Sequence, residues 1–274
     1  GNLYAGVNME FVRSADKSFE AGVKIAAELG YEYIEPMVHN GRELLSEAGY
    51  FHSFSMDEDP LWMKEICDRN GVKISGLSGH CPLMRPEISV PYLQRAIRFA
   101  SDLGTPIVNT DEGVKPDWMT DEQAFNVMEY TLTQVMKTAE RYGIYVGIED
   151  HQIYTKVPEG LLRIANLVDS PYLQINYDSG NAYMAGTDPY EMLDKVLDRV
   201  YHVHAKDIGG VQLEERGKVT GVPVGVACGE GVIDWKKICA KLKTLPRNIV
   251  LSVECGTIEQ AKKSLEHLNE IIKS

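Results

Sequence analysis

Leu173-Gln174-Ile175-Asn176-Tyr177-Asp178 alternates large apolar side chains with polar ones and ends on a carboxylate. A strand turns successive side chains to opposite faces, so Leu173, Ile175 and Tyr177 share one face and Gln174, Asn176 and Asp178 the other. Three more stretches read the same way. Tyr145, Gly147 and Glu149 oppose Ile144, Val146 and Ile148. His202 and His204 oppose Tyr201 and Val203. Ser252 and Glu254 oppose Ile249, Leu251 and Val253. Each stretch therefore has an aliphatic face to pack against helices and a small or polar face ending on a metal-type side chain. Glu149, Asp178 and His204 follow one another at about one strand–helix repeat, roughly 30 residues. The longer interval to Glu254 leaves room for a long loop. Parallel strands would present all four side chains at one end of a sheet.

Outward from these stretches the same rhythm continues. Strands are expected at Tyr4–Met9, Tyr31–Met37, Lys73–His80, Pro106–Asp111, Tyr145–Asp150, Leu173–Asp178, Val200–Asp207 and Ile249–Cys255. Helices are expected between them, near 16–29, 57–70, 89–103, 120–142, 158–168, 188–199, 234–244 and 258–273. Thr120 to Gln123 reads as a capping box. Asp188-Pro189 places proline in a first helical turn, where its missing N–H costs nothing. Gly30, Gly71, Gly104 and Gly143 sit where a left-handed cap favours glycine. Eight such units predict an α/β fold, a (β/α)8 TIM barrel, as one domain over residues 1–274. A doubly wound open sheet is the rival, but no G-x-G-x-x-G follows the first strand. No Pro/Ser-rich linker divides the chain. Gly1 is set aside as an expression scar.

The formal net charge is -12. Such a surface repels phosphate backbones, so no nucleic-acid partner is expected. No apolar run approaches the ~20 residues of a membrane span, and none reads as a secretory leader. The five cysteines are scattered without a C-x-x-C pair, which fits reduced thiols and a cytoplasmic location.

A strand-terminal acid often just caps the next helix. Four metal-type side chains of common parity are better read as one divalent-cation site formed by Glu149, Asp178, His204 and Glu254. Three carboxylates and an imidazole suit Mn2+ best, with Mg2+, Co2+ or Zn2+ as alternatives. His202 lies one layer deeper and reads as a hydrogen-bonded interior histidine. Asp207 reads equally as a partner for the second nitrogen of His204 or as a loop acid. His80 and Glu35 end strands and are candidate substrate contacts; His151 and Asn109 are weaker ones. The segment from Ile208 to Val232 is long and glycine-rich, as binding loops at a barrel mouth often are. It carries Arg216, a candidate anchor for a polar substrate. Gly229 and Gly231 could belong to a phosphate cradle, although no P-loop signature is present.

Gly147-Ile148-Glu149-Asp150, Tyr177-Asp178-Ser179-Gly180-Asn181, His202-Val203-His204-Ala205-Lys206-Asp207, Gly229-Glu230-Gly231-Val232-Ile233-Asp234-Trp235 and Val253-Glu254 together resemble the xylose-isomerase-like TIM-barrel superfamily. The nearest likeness is to its sugar (phosphate) isomerase/epimerase group. The resemblance implies that Glu149, Asp178, His204 and Glu254 bind one divalent cation, and that Glu149 and Glu254 also exchange protons with the substrate. Where that group often carries a second histidine, three residues after the metal aspartate, this chain has Asn181. Asn181 is therefore expected to bind a substrate hydroxyl instead. The implied activity is isomerisation or epimerisation of a ketose, a ketose phosphate or a related keto-polyol, by proton transfer alpha to a carbonyl through a metal-bound enediolate. An inosose-type dehydratase on the same scaffold is the alternative, and a non-catalytic sugar-binding barrel a further one. A nuclease like endonuclease IV needs more histidine ligands than this chain offers. Barrels of this kind commonly pair, so a homo-oligomer is among the expected states.

Overall fold

A computed structural model describes residues 1–41 and 52–274. Nine parallel strands form one sheet: β1 (Leu3–Asn8), β2 (Tyr33–Glu35), β3 (Lys73–Ile74), β4 (Leu77–Ser78), β5 (Ile107–Thr110), β6 (Tyr145–Glu149), β7 (Leu173–Asp178), β8 (Val200–Ala205) and β9 (Ile249–Val253). Their order is β3-β2-β1-β9-β8-β7-β6-β5-β4. The strand expected over Lys73–His80 is thus two short pieces. β3 pairs with β2, and β4 pairs with β5. Ser75 and Gly76 join the two pieces, so the circle closes through this single segment. The fold is a TIM barrel in one domain.

Nine helices surround the strands among the described residues: α1 (Phe19–Leu29), α2 (Pro60–Arg69), α3 (Pro86–Leu103), α4 (Asp121–Tyr142), α5 (Pro158–Ala165), α6 (Ser179–Met184), α7 (Pro189–Val196), α8 (Trp235–Leu242) and α9 (Ile258–Ile272). The capping box at Thr120 and Gln123 is formed in both directions. Asp188 caps α7 with Pro189 in its first turn. Gly104 and Gly143 end α3 and α4 in the left-handed region, which a Cβ would strain. No described helix is long and apolar enough to cross a membrane. All five cysteines are free.

The aliphatic faces behave as the alternation predicts. Val146, Ile148, Leu173, Ile175, Tyr177, Val203, Ile249, Leu251 and Val253 are buried in the hydrophobic core. Each such side chain contributes roughly 1.5–3 kcal/mol of burial. Tyr201 departs from the pattern. The β8–β7 register slips between Val200 and His202, and Tyr201 stacks on Tyr145 at 4.6 Å. Besides short 3-10 turns at Met9–Val12 and Gly210–Glu215, two elements among the described residues lie outside the sequence reading. One is a small parallel pair, Val38–His39 with Phe54–Ser55, outside the barrel. The other is α6, which starts directly from the end of β7.

Candidate metal centre and active site

The inward faces of the strands build the site in layers. Deepest is a neutral polar layer. His202 Nδ1 donates to Asn176 Oδ1 at 2.9 Å, and Nε2 lies 3.0 Å from Ser75 Oγ. Burial holds His202 down at about 4, so it stays uncharged. Close packing here requires Gly147, because a Cβ would stand 2.5 Å from Asn109 Oδ1. Asn109 donates to Glu35 Oε2 at 2.8 Å.

Glu35 forms the next layer. Its carboxylate accepts from Asn8 Nδ2 at 3.1 Å, Ser252 Oγ at 2.9 Å and His204 Nε2 at 2.7 Å. Burial pushes its pKa up, but the charge of His204 and the hydrogen bonds from His204 and Asn109 outweigh burial and hold it well below the usual range. The substrate contact expected of Glu35 does not fit this placement, since its oxygens are fully buried and engaged by protein donors. The physical effect is on His204. Burial pulls His204 down, but Glu254, Glu35 and Glu149 outweigh it and raise the ring well above its ordinary value. With Nε2 directed at Glu35, Nδ1 faces the barrel mouth carrying a proton that a cation would displace.

At that mouth Glu149, Asp178, His204 and Glu254 each offer a ligand atom, and all four atoms lie within 4.8 Å of one another. His204 Nδ1 is 3.1 Å from Glu254 Oε1 and 3.7 Å from Asp178 Oδ2, and it also meets Glu149 Oε1. None of these contacts is aligned as a hydrogen bond. Asp178 Oδ2, His204 Nδ1 and Glu254 Oε1 remain buried without a hydrogen-bond partner. Carboxylates at such spacing repel by about 4 kcal/mol per pair at an effective dielectric of 20. Converging carboxylates whose inward atoms lack aligned hydrogen bonds fit a divalent cation, and the oxygen-rich set suits Mn2+, Mg2+, Co2+ or Zn2+. Asp178 meets both sequence readings at once: Oδ1 caps α6 by accepting from Asn181 N at 2.9 Å, while Oδ2 is left for the cluster. Burial pushes the Glu254 carboxyl up to about 7, against the pull of His204 and Lys206.

Lys206 was not singled out from the sequence, although it shares the parity of His202 and His204. It is fully buried, with Nζ 3.1 Å from Asp178 Oδ2 and 3.3 Å from Glu254 Oε1. Asn181 is not free for the substrate contact expected of it. Its Oδ1 accepts from Lys206 Nζ at 2.8 Å and Val222 N at 3.1 Å, and its Nδ2 donates to the carbonyl of Asp150 at 3.0 Å.

A second array flanks Glu149. His80 Nδ1 and His151 Nδ1 lie 2.8 and 3.1 Å from the two oxygens of Asp111, which the sequence reading placed at a strand end without a role. Both Nε2 atoms stand 3.9–4.0 Å from Glu149 Oε2. Burial pulls His80 down, but Glu149 and Asp111 outweigh it and lift it to about 9. His80, Asp111 and His151 line an open cleft of about 550 Å3, with Arg85, Pro116 and Gln152 also on its walls. That volume is within the usual range for small-molecule sites. Next to Asp111, Glu112 is buried and fixes the turn that carries His151, accepting from the backbone of Gln152, Tyr154 and Thr155 and from Thr155 Oγ1.

The long loop also differs from expectation. Arg216 is exposed, donates to the Tyr183 carbonyl at 3.0 Å and stacks on the Tyr183 ring at 4.2 Å. It packs on α6 rather than reaching the cluster. Asp207 does not hold His204. Its carboxylate accepts from the N–H groups of Ile208, Gly229, Gly231 and Ile233 and from Trp235 Nε1, at 2.9–3.1 Å. The glycine segment is therefore an anion cradle already filled by a protein carboxylate.

Residues 23–271 match the family model for xylose isomerase-like TIM barrels. The chain belongs to this family. Among relatives, the uncharacterised protein MJ1311 of Methanocaldococcus jannaschii is 31% identical over 196 residues, 68% of this chain and 63% of that protein's length. The inosose dehydratase of Salmonella typhimurium is 26% identical over 237 residues, 78% of this chain and 75% of that protein. A solved D-tagatose 3-epimerase-like protein shares the family's barrel shape, with a TM-score of 0.76 over 98% of this chain and 97% of its own at 24% identity.

Proposed function

We propose that this chain is a divalent-cation-dependent sugar isomerase or epimerase that moves a proton alpha to a carbonyl through an enediolate. The observation that supports this most directly is the meeting of Glu149, Asp178, His204 and Glu254 with three unsatisfied buried donor atoms, beside a cleft of sugar size. A bound cation, Mn2+ in our reading, would supply Lewis-acid polarisation of the carbonyl, worth several kcal/mol.

The chain's own residues supply the rest. Glu149 and Glu254 enter the cluster from strands on different sides of β7 and β8. One can take the α-proton while the other returns a proton. Return to the opposite face of the same carbon gives epimerisation, and return to the neighbouring carbon gives isomerisation. Asn176 Nδ2 fixes Glu149 Oε1 at 2.9 Å. His80 and His151, both held by Asp111, face the other oxygen of Glu149 and are placed to hold substrate hydroxyls. Glu35 and Asn181 act on the ligands rather than on the sugar.

A second reading, an inosose-type dehydratase, is favoured by the likeness to a dehydratase and by the imidazole pair beside Glu149. That pair could hand a proton to a departing hydroxyl. Both readings are tested by incubating the Mn2+-supplemented protein with ketoses, ketose phosphates and inososes in D2O. Solvent deuterium at an α-carbon is expected, and its absence from the whole panel would remove the proton-transfer reading. An ultraviolet-absorbing enone or diketone product would select the dehydratase.

A further inference from the structure

Lys206 enters the centre from behind, along a path built for it. Its stem lies against Gly180, where a Cβ would come within 2.6 Å of the lysine methylenes. Its ammonium donates to Asn181 Oδ1 at 2.8 Å and to the carbonyl of Val222. It also stands 3.1 Å from Asp178 Oδ2 and 3.3 Å from Glu254 Oε1. These are the two carboxylate oxygens of the cluster that lack an aligned hydrogen-bond donor. Glu149, by contrast, has Asn176 on Oε1. A buried ammonium and buried carboxylates are each costly alone, and each offsets the cost of the other. Anchored at Asn181 and Val222, Lys206 cannot swing away as a surface lysine does.

We propose that Lys206 is a built-in counter-ion, neutralising Asp178 and Glu254 in the cation-free protein and holding down the affinity of the centre for a divalent cation. The proposal rests on reading the four-residue cluster as a cation site. A fixed positive charge beside two of the four ligands supports them when the site holds no cation. The same charge opposes the arrival of a second one. Removing it therefore moves two observables in opposite directions: the cation-free protein weakens while cation affinity rises. A merely structural lysine would move both downward.

The test uses the full chain stripped with EDTA, as wild type, Lys206→Met and Lys206→Gln. The first variant keeps the stem, and the second keeps a donor for Asn181 and Val222. Mn2+ and Zn2+ are titrated calorimetrically, and thermal unfolding is followed in EDTA. Both variants are expected to melt below wild type in EDTA and to bind Mn2+ at least about tenfold more tightly. Should Lys206→Met be unfolded without cation, its affinity is read from Mn2+-driven refolding, and Lys206→Gln gives the direct titration. Affinity equal to or weaker than wild type overturns the proposal, as does an unchanged melting temperature in EDTA. Wild type that binds neither cation overturns instead the cation-site reading on which the proposal stands.

Discussion

Asp178 and Asp207 are both fully buried carboxylates beside the carboxyl ends of neighbouring strands, yet they are bonded in opposite ways. Asp207 accepts from five N–H donors drawn from one loop and one indole. Asp178 uses one oxygen to cap α6 and leaves the other without an aligned hydrogen bond, 3.1 Å from Lys206 Nζ and among Glu149, His204 and Glu254. Folding alone accounts for Asp207, because the carboxylate and the loop complete each other. It does not account for the Asp178 cluster, where three carboxylates meet His204 and Lys206 as ion pairs without an aligned hydrogen bond on Asp178 Oδ2, Glu254 Oε1 or His204 Nδ1. Buried charge that hydrogen bonds complete is architecture; buried charge balanced only by unaligned ion pairs is what the proposed cation site needs.

The largest effect that could break this contrast belongs to Glu254→Gln. Solvent deuterium uptake on a true substrate should fall by about 10²–10⁴-fold. The same variant in EDTA should be at least as stable as wild type, because the amide removes a carboxyl that burial has pushed up to about 7. A large loss of cation-free stability would mean that the cluster is architecture too. Next in size is Asp207→Asn, which turns an amide toward donors that need an acceptor. A loss of about 3 kcal/mol in denaturant unfolding is expected, with calorimetric Mn2+ affinity close to wild type. Weakened cation binding with intact stability would reverse the roles of the two aspartates.

Much of this contrast could be read from the chain. Period-two alternation in Leu173–Asp178 and its three counterparts fixes which side chains face the interior, so the meeting of Glu149, Asp178, His204 and Glu254 follows from parity once the strands are parallel. Parity gives the face but not the height. Glu35 also ends an inward row, yet stagger around the barrel sets it beneath His204, and no local signal encodes that stagger. Asp207 lies one residue past Lys206, so it points the other way, under a glycine loop whose path depends on tertiary contacts. Lys206 and Asp111 were legible in principle, since each continues the inward face of its strand. A lysine reads as surface by composition, and only its carboxylate partners explain its burial.

Glu112 sharpens the comparison, because it is saturated like Asp207 but perturbed like Glu254. Its carboxyl accepts from three backbone N–H groups and the Thr155 hydroxyl, which favours the charged form. Burial outweighs them, with the neighbouring Asp111 adding to it, and raises the group from 4.5 to about 7. The folded protein then holds this proton more tightly than the unfolded chain does. The resulting stability is complete below about 4.5 and is lost as pH rises through about 7. Glu112→Gln has no such titration. The melting-temperature difference, wild type minus variant, should therefore shrink by a few degrees between pH 4.5 and 7.5 and stay level above that. A difference that stays flat over the whole range would show that four donors keep even a carboxylate beside Asp111 ionised. Saturation alone would then separate the structural acids of this barrel from the reactive ones.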